Sequence, residues 1–479
     1  MKNSIRLFLS TVLLVLLNPA LAVDKPDILF IVIDDLNDWV GPLAGHPQVQ
    51  TPNIDRLAAR GMTFTNAYTT AASCHPSRTS FMSGLRPSTT GIYVNAPDWR
   101  PLDVFKNVTM MPAHFRNNGY RTTGGGKMFH AHSYADSALA GFNDPDSWDS
   151  YYPSLDHQMP DDLYPVTRPK NGNPGGTPFM GFDWYGLTTE DSAMSDGQVA
   201  QWAIQDLLTS QDKPRLTAVG IYRPHLPWYI PKKYLDMYPE KDVILPEVPN
   251  DDLLDVPEVA LQAEMQSREL HGWVVANDKW QAAVRGYLAS ISFADAMVGR
   301  VLDALEQSGR ADNTIVVLIS DHGWHLGHKM RWRKMELWRQ TNRVPMIVAA
   351  PGITTAGSRS NAPVSLLDLY PTLIELAGLP NPQQDLEGHS LVPLLNDPGR
   401  RWPHVAISTW KRNNHAIQNE RYRYIRYAEG EEELYDHETD PNEWHNLAGN
   451  EDYAALIHEL AKSLPKKNAA DQFQSDNID

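Results

Sequence analysis

Among 479 residues there is one cysteine, Cys74. No disulfide can close within such a chain, so a disulfide-stapled scaffold is excluded and stability must come from a packed core. Long apolar runs are also missing. The most apolar stretch, residues 7–17, is broken by Ser10 and Thr11 and falls well short of the ~20 residues that a membrane-spanning helix needs. Basic residues are outnumbered, 42 Lys and Arg against 58 Asp and Glu, giving a net charge of −16. That balance argues against nucleic acid as a partner. It leaves room for an anionic substrate, because a local cluster of Lys, Arg and His can oppose the global sign. Internal repeats and low-complexity tracts are absent too.

What is present begins with an address. Lys2 and Arg6 flank the apolar run, and Ala20-Leu21-Ala22 offers a small-residue cleavage site, so residues 1–22 read as an export signal. A lipoprotein anchor would need a cysteine at that site, and Cys74 lies far downstream. The mature chain is therefore expected to be exported, periplasmic or secreted, with no membrane attachment after cleavage. Exported proteins normally use cysteines in pairs, which makes the solitary Cys74 the residue to explain. A composition of 42% hydrophobic and 21% charged residues is that of a globular protein, and the length exceeds what one core usually supports. Fourteen tryptophans and 36 prolines suggest long ordered loops carrying aromatic platforms.

The chain alternates like an α/β protein. "DILFIVI" (27–33) is a continuous apolar run of the kind found in strands buried on both faces. "RLTAVGIY" (215–222), "NTIVVLIS" (313–320) and "VPMIVAAPG" (344–352) read the same way. Helices are expected over 51–61, 284–309 and 365–378, the first starting at Pro52 and stopping at Gly61. Residues 141–190 are rich in Pro, Gly, Asp and Tyr, and read as a long loop insertion. From about residue 400 the texture changes. Residues 400–479 are expected to form a smaller subdomain, an antiparallel sheet with a helix around 452–463, leaving 23–399 as the catalytic unit.

In open α/β sheets, ligands sit at the carboxyl ends of strands. Three of those ends carry Asp34-Asp35, His225 and Asp321-His322. Oxygen-rich pairs of this kind suit a hard divalent cation, although histidine is an unusual ligand for Ca²⁺ or Mg²⁺. The region around the cysteine, Cys74-His75-Pro76-Ser77-Arg78 followed by "TSFMSGLRP" (79–87), matches the C-x-P-S-R signature of type I sulfatases. "GGGKMFH" (124–130), "YRPHLPW" (222–228), "SDHGWHLG" (320–327) and Lys334 follow in that family's order, and "ELYDHETDPNEWHNLA" (433–448) resembles its second subdomain. The motif spacing is most similar to the iduronate-2-sulfatase branch, in which a histidine likewise stands at position 322.

The resemblance implies an alkaline-phosphatase-like fold: a large, mostly parallel mixed sheet between helices, with the smaller C-terminal α+β subdomain. It implies that Cys74 is oxidised to formylglycine by a formylglycine-generating or anaerobic sulfatase-maturing enzyme. It also implies a metal on Asp34, Asp35, Cys74, Asp321 and His322, with Ca²⁺ expected in preference to Mg²⁺. Arg78 would hold the formylglycine hydrate, Asp321 would take its proton, and Lys127 and Lys334 would clamp sulfate. His225 would protonate the leaving alcohol, and His130 would trigger sulfate release. Trp99, Arg100, Trp324 and His415, with Trp228 and Trp410-Lys411-Arg412, read as aromatic faces and cations for a sulfated, uronate-containing oligo- or polysaccharide. A phosphonate or phosphate-ester hydrolase on the same scaffold is the alternative.

Overall fold

The computed structural model describes residues 25–130, 143–154, 157, 159–160, 181–263 and 265–472. The export signal lies outside these residues, as does much of the 141–190 segment. No helix among the described residues is long and apolar enough to cross a membrane.

Eight strands form the main sheet: β1 (Asp27–Ile33), β2 (Met62–Phe64), β3 (Arg121–Gly126), β4 (Ser150–Tyr152), β5 (Arg215–Ile221), β6 (Thr314–Ser320), β7 (Met346–Ala349) and β8 (Ser358–Ser360). Their spatial order is β8-β2-β7-β6-β1-β5-β3-β4. Every neighbouring pair is parallel except those made by β7, which runs antiparallel to both β6 and β2. All seven residues of β1 are buried, as the unbroken apolar run requires. Alternate side chains part to opposite faces. Leu29, Ile31 and Ile33 enter one core with helices α1 (Pro52–Arg60) and α3 (Trp280–Gln307). Ile28, Phe30 and Val32 enter the other, with α2 (Cys74–Ser83) and α4 (Leu369–Leu376).

The expected elements are present with shifted ends. The long helix begins at Trp280, earlier than its apolar pattern suggests, and the Trp280 indole donates to the Leu326 carbonyl at 2.8 Å. The helix expected from 365 opens as a 3₁₀ turn at Leu366–Asp368, under a reciprocal capping box of Ser365 and Asp368. The reading of 141–190 as a bare loop needs correction where it is described. Residues 150–152 add edge strand β4, and Trp184–Leu187 pairs in parallel with Trp228–Pro231. Aromatic residues account for both strands.

Four antiparallel strands, β9 (Ala406–Thr409), β10 (His415–Gln418), β11 (Tyr422–Arg426) and β12 (Glu432–Asp436), form a separate sheet, followed by α5 (Ala454–Ala461). Edge strand β9 docks on the segment before α2. The Thr409 N–H donates to Thr70 O at 2.8 Å, and the Ser408 hydroxyl to Thr69 O at 2.6 Å.

Candidate active site

Parallel pairing brings the carboxyl ends of β5, β1 and β6 level. The Asp34 N–H donates to Ile221 O at 3.0 Å, and the Asp321 N–H to Ile33 O at 3.4 Å. Asp35 takes a left-handed φ of 61°, which turns the chain sharply and aims consecutive carboxylates at one cavity. Tyr287 of α3 holds that turn, donating to Asp35 O at 2.7 Å and accepting from the Asn37 N–H at 2.9 Å. The Ser320 hydroxyl oxygen accepts the Leu36 N–H at 3.0 Å.

Cys74 is the first residue of α2, all ten residues of which are buried. Its Sγ lies 3.0 Å from Lys334 Nζ, 3.3 Å from His322 Nε2, and 3.6 Å from both Lys127 Nζ and Asp34 Oδ1. One turn on, Arg78 bonds Asp321 Oδ2 through Nε at 2.8 Å, Asp34 Oδ1 through Nη2 at 3.3 Å, and the carbonyl of Lys127. Ser77 and Thr69 hydroxyls both donate to Asp321 O at 2.6 Å, tying the start of α2 to the end of β6. Lys127 pairs with Asp34, and Lys334 with Asp35 at 2.5 Å. His130, buried, hydrogen-bonds Cys74. His225 is the partly exposed member, 18% accessible against 0–9% for the others in the ion pairs. It donates from Nδ1 to Leu226 O at 2.6 Å, which leaves Nε2 directed at Asp35, 3.9 Å away. The cavity therefore opens beside His225.

Crowded charge sets the protonation pattern. Burial pushes the Cys74 thiol up, but Lys127, Lys334 and His322 reverse this and hold it well below the ordinary thiol range. Burial and Cys74 push Asp34 up, and Lys127, His225 and Arg78 overcome both, leaving it below the carboxylate range. Asp321 goes the other way. Burial and the Asp34 charge outweigh Arg78 and lift it to about 7.

A divalent cation fits this donor set. Ligand atoms of Asp34, Cys74, Asp321 and His322 all lie within 4.8 Å of one another, as do those of Asp34, Asp35, Cys74 and His225. Asp35 Oδ2 is buried and accepts no hydrogen bond, a costly arrangement that a cation would relieve. His322 donates from Nδ1 to Gly323 O at 3.1 Å, which fixes its tautomer and turns the Nε2 lone pair inward.

All the residues expected to act on sulfate or metal thus meet around Cys74. The expected sugar platforms do not. Trp99 is 6% exposed and stacks on Phe129 within the core, and Trp324 is 3% exposed with Lys334 over its ring. His415 is buried on β10, with Nδ1 on the Thr409 hydroxyl at 3.0 Å and Nε2 on Asn468 Oδ1 at 2.8 Å. Trp228 is fully buried. Trp228 and His415 are enclosed, whereas Trp99 lines, with Arg100, Phe105 and Lys106, a cavity of about 380 Å³ apart from the Cys74 cluster, and Trp324 borders that cluster through Lys334. Arg100 stays partly exposed, but its guanidinium is taken by Asp98 at 2.7 Å. Sequence reasoning missed Tyr287 and Thr69, whose surroundings carry no motif. Ser77 stood inside the quoted signature without a role.

The model of the sulfatase family matches residues 26–379, which include the main sheet and every residue of the Cys74 cluster. The chain belongs to the sulfatase family. A second model, the C-terminal part of N-sulphoglucosamine sulphohydrolase, matches residues 322–470. A sulfatase of Formosa agariphila is 39% identical over 93% of this chain and 88% of its own. Iduronate 2-sulfatase of Homo sapiens is 32% identical over 75% of this chain and 70% of its own. Among solved structures, a phosphonate monoester hydrolase of Agrobacterium radiobacter superposes with a TM-score of 0.75 at 23% identity, over 92% of this chain and 95% of its own. The fold is thus that of the alkaline-phosphatase-like hydrolases, and the enzyme is a sulfuric ester hydrolase.

Proposed function

We propose that this sulfatase removes sulfate from a sulfated carbohydrate, a uronate-containing oligo- or polysaccharide, using formylglycine made from Cys74 by a dedicated maturing enzyme. The observation that carries the reading is the convergence of Lys127, Lys334, His322 and Asp34 on Sγ of residue 74 at 3.0–3.6 Å. Sγ marks the place of the nucleophilic oxygen. The formylglycine hydrate supplies one hydroxyl to attack sulfur and a second whose deprotonation expels sulfate. A bound Ca²⁺, held by Asp34, Asp35, Asp321, His322 and residue 74, supplies Lewis-acid charge neutralisation.

The protein's own side chains do the rest. Asp321, whose Oδ2 accepts from Arg78 Nε at 2.8 Å, is the carboxylate that would take the proton of the attacking hydroxyl. Arg78 spans Asp34 and Asp321 and keeps them apart at fixed positions. Lys127 and Lys334, both buried, bring two cations to residue 74, where they would neutralise the sulfate oxygens. His225, the partly exposed member of the cluster, faces the opening with its Nε2 edge. It is the group placed to hold a proton for the departing alkoxide. His130 lies on the buried side, against residue 74, where the second hydroxyl must lose its proton.

Uronate recognition rests on the likeness to iduronate 2-sulfatase, since the tryptophans read as platforms are buried. We assign residues 23–399 to the catalytic domain and 400–479 to the C-terminal subdomain, with export directed by residues 1–22. The mass of the peptide containing residue 74, from the native host, tests the maturation. An unmodified cysteine in active enzyme removes the formylglycine reading. Likeness to a phosphonate monoester hydrolase favours a second reading, hydrolysis of phosphorus esters. Paired aryl sulfate and aryl phosphonate assays separate them. We expect kcat/KM to favour the sulfate.

A further inference from the structure

Lys334 sits on a contorted stretch of chain. Its neighbours Arg333 and Met335 have left-handed φ values of 72° and 76°, and Lys329 and Met330 have 54° and 52°. None is glycine, so surrounding contacts must impose this shape. On one side the Met335 N–H donates to Ala72 O at 2.9 Å, two residues before the nucleophile. On the other side lies a buried polar cluster with no part in the chemistry above. The Glu336 carboxyl, 2% exposed and pushed up to about 8 by burial, packs against His325 Nε2 at 2.9 Å and Arg331 Nε at 3.2 Å without hydrogen-bond geometry. Arg331 is itself pinned, donating from Nη2 to Leu261 O at 2.8 Å, and His325 pairs with Arg333 across a two-residue antiparallel ladder. The Glu336 carbonyl accepts from the Thr341 hydroxyl at 3.0 Å and from Asn342 Nδ2 at 2.9 Å.

Burying a carboxyl, an arginine and a histidine that burial keeps neutral is costly, and apolar replacements of equal volume are often no less stable. Such a cluster is better explained by the geometry it fixes. Three anchor points, at 325, 331 and 336, bracket the turn that presents Lys334. We propose that Glu336 is a positioning residue which, through Arg331 and His325, holds the Lys334 ammonium beside residue 74. No hydrogen bond or ion pair joins Glu336 to the Cys74 cluster among the described residues. It acts through the shape of the loop. The inference rests on the reading of Lys334 as a sulfate-contacting cation.

A double-mutant cycle on the mature enzyme tests it, with Glu336→Gln, Lys334→Ala and the pair assayed on an activated aryl sulfate. Thermal unfolding of each variant is followed alongside. Loss of position by Lys334 should lower kcat/KM of Glu336→Gln by about 10–10²-fold. In the Lys334→Ala background the same change should cost less than about 2-fold, because its target is gone. Losses that multiply fully in the double variant overturn the proposal. An unaffected Lys334→Ala overturns the reading of Lys334 itself, which is a separate failure. If Glu336→Gln does not fold, His325→Gln enters the same cycle with the same criterion.

Discussion

Glu443 and Asp321 are both fully buried carboxylates beside a buried arginine, yet they move in opposite directions. Burial raises both. For Glu443 the opposing groups win. Arg423 Nε, His437 Nε2 and the Arg339 N–H each reach it at 2.8 Å, and it falls to about 2. For Asp321 the Arg78 contact is countered by Asp34 and Cys74, and it rises to about 7. The difference separates two uses of buried charge. Around Glu443 the anion is met by three donors and the cluster is a clasp. Around Cys74 the anions face one another, and the excess is available to a cation or a proton.

The comparison can be broken by removing one member of each cluster. Cys74→Ala should lower kcat/KM by more than about 10³-fold while leaving the thermal midpoint nearly unchanged, since the clasp is untouched. A variant retaining full activity would end the nucleophile assignment. Chelation should suppress activity, with Ca²⁺ restoring it better than Mg²⁺, and Asp35→Asn should weaken cation binding measured calorimetrically. Undiminished turnover in metal-free enzyme contradicts this. Next comes His225→Ala, expected to cost about 10²-fold or more on a sugar sulfate and much less on a nitrophenyl sulfate, whose leaving group hardly needs a proton. Equal losses on both substrates remove the general-acid role.

Glu443→Ala should instead cost about 3 kcal/mol or more of stability, read from denaturant unfolding, by stranding Arg423 in the interior. Acid sharpens the same point. Because folding lowers the Glu443 pKa, its contribution is fully present above about pH 4.5. It is lost as pH falls towards 2, roughly 3 kcal/mol in all. In Glu443→Gln that part of the acid transition should disappear. The smallest effect is expected at His415, which burial holds neutral, down to about 4. His415→Asn should change kcat/KM by less than about 2-fold, and a large rise in KM would return it to the substrate site.

Much of this was legible in the chain, for a physical reason. A strand covered on both faces must be apolar throughout, so β1, β5 and β6 announced themselves. Asp34, Asp35, Asp321 and His322 break those runs abruptly, and a charged pair at the end of a buried strand has little structural excuse. The tryptophans could not be sorted. Trp99 and Trp324 would look the same in sequence whether they lined a cleft or filled a core. Arg100 found its partner two residues away, and composition does not show that. Tyr287 sits in the apolar stripe of α3 like any core residue, and its task depends on a hydroxyl meeting a turn 252 positions away in sequence. The strain around Lys334 is a backbone property with no residue code.

Register has a kinetic consequence. Strand β1 pairs residue for residue with β5 and β6, from Asp27↔Thr314 through Ile33↔Ser320 on one side and from Ile28↔Leu216 on the other. Both partners are made long after it. At a synthesis rate of about 5–20 residues per second, roughly 15–60 s separate the emergence of β1 from that of β6. Until β5 emerges, about two-thirds of the way through that interval, "DILFIVI" has neither neighbour, and until β6 emerges one of its edges stays open, the sort of edge that templates pairing between chains. The central pairing of the sheet is complete only once residue 320 is available. No fragment ending before that point can assemble the cavity, so truncated products of this gene are expected to aggregate rather than work slowly.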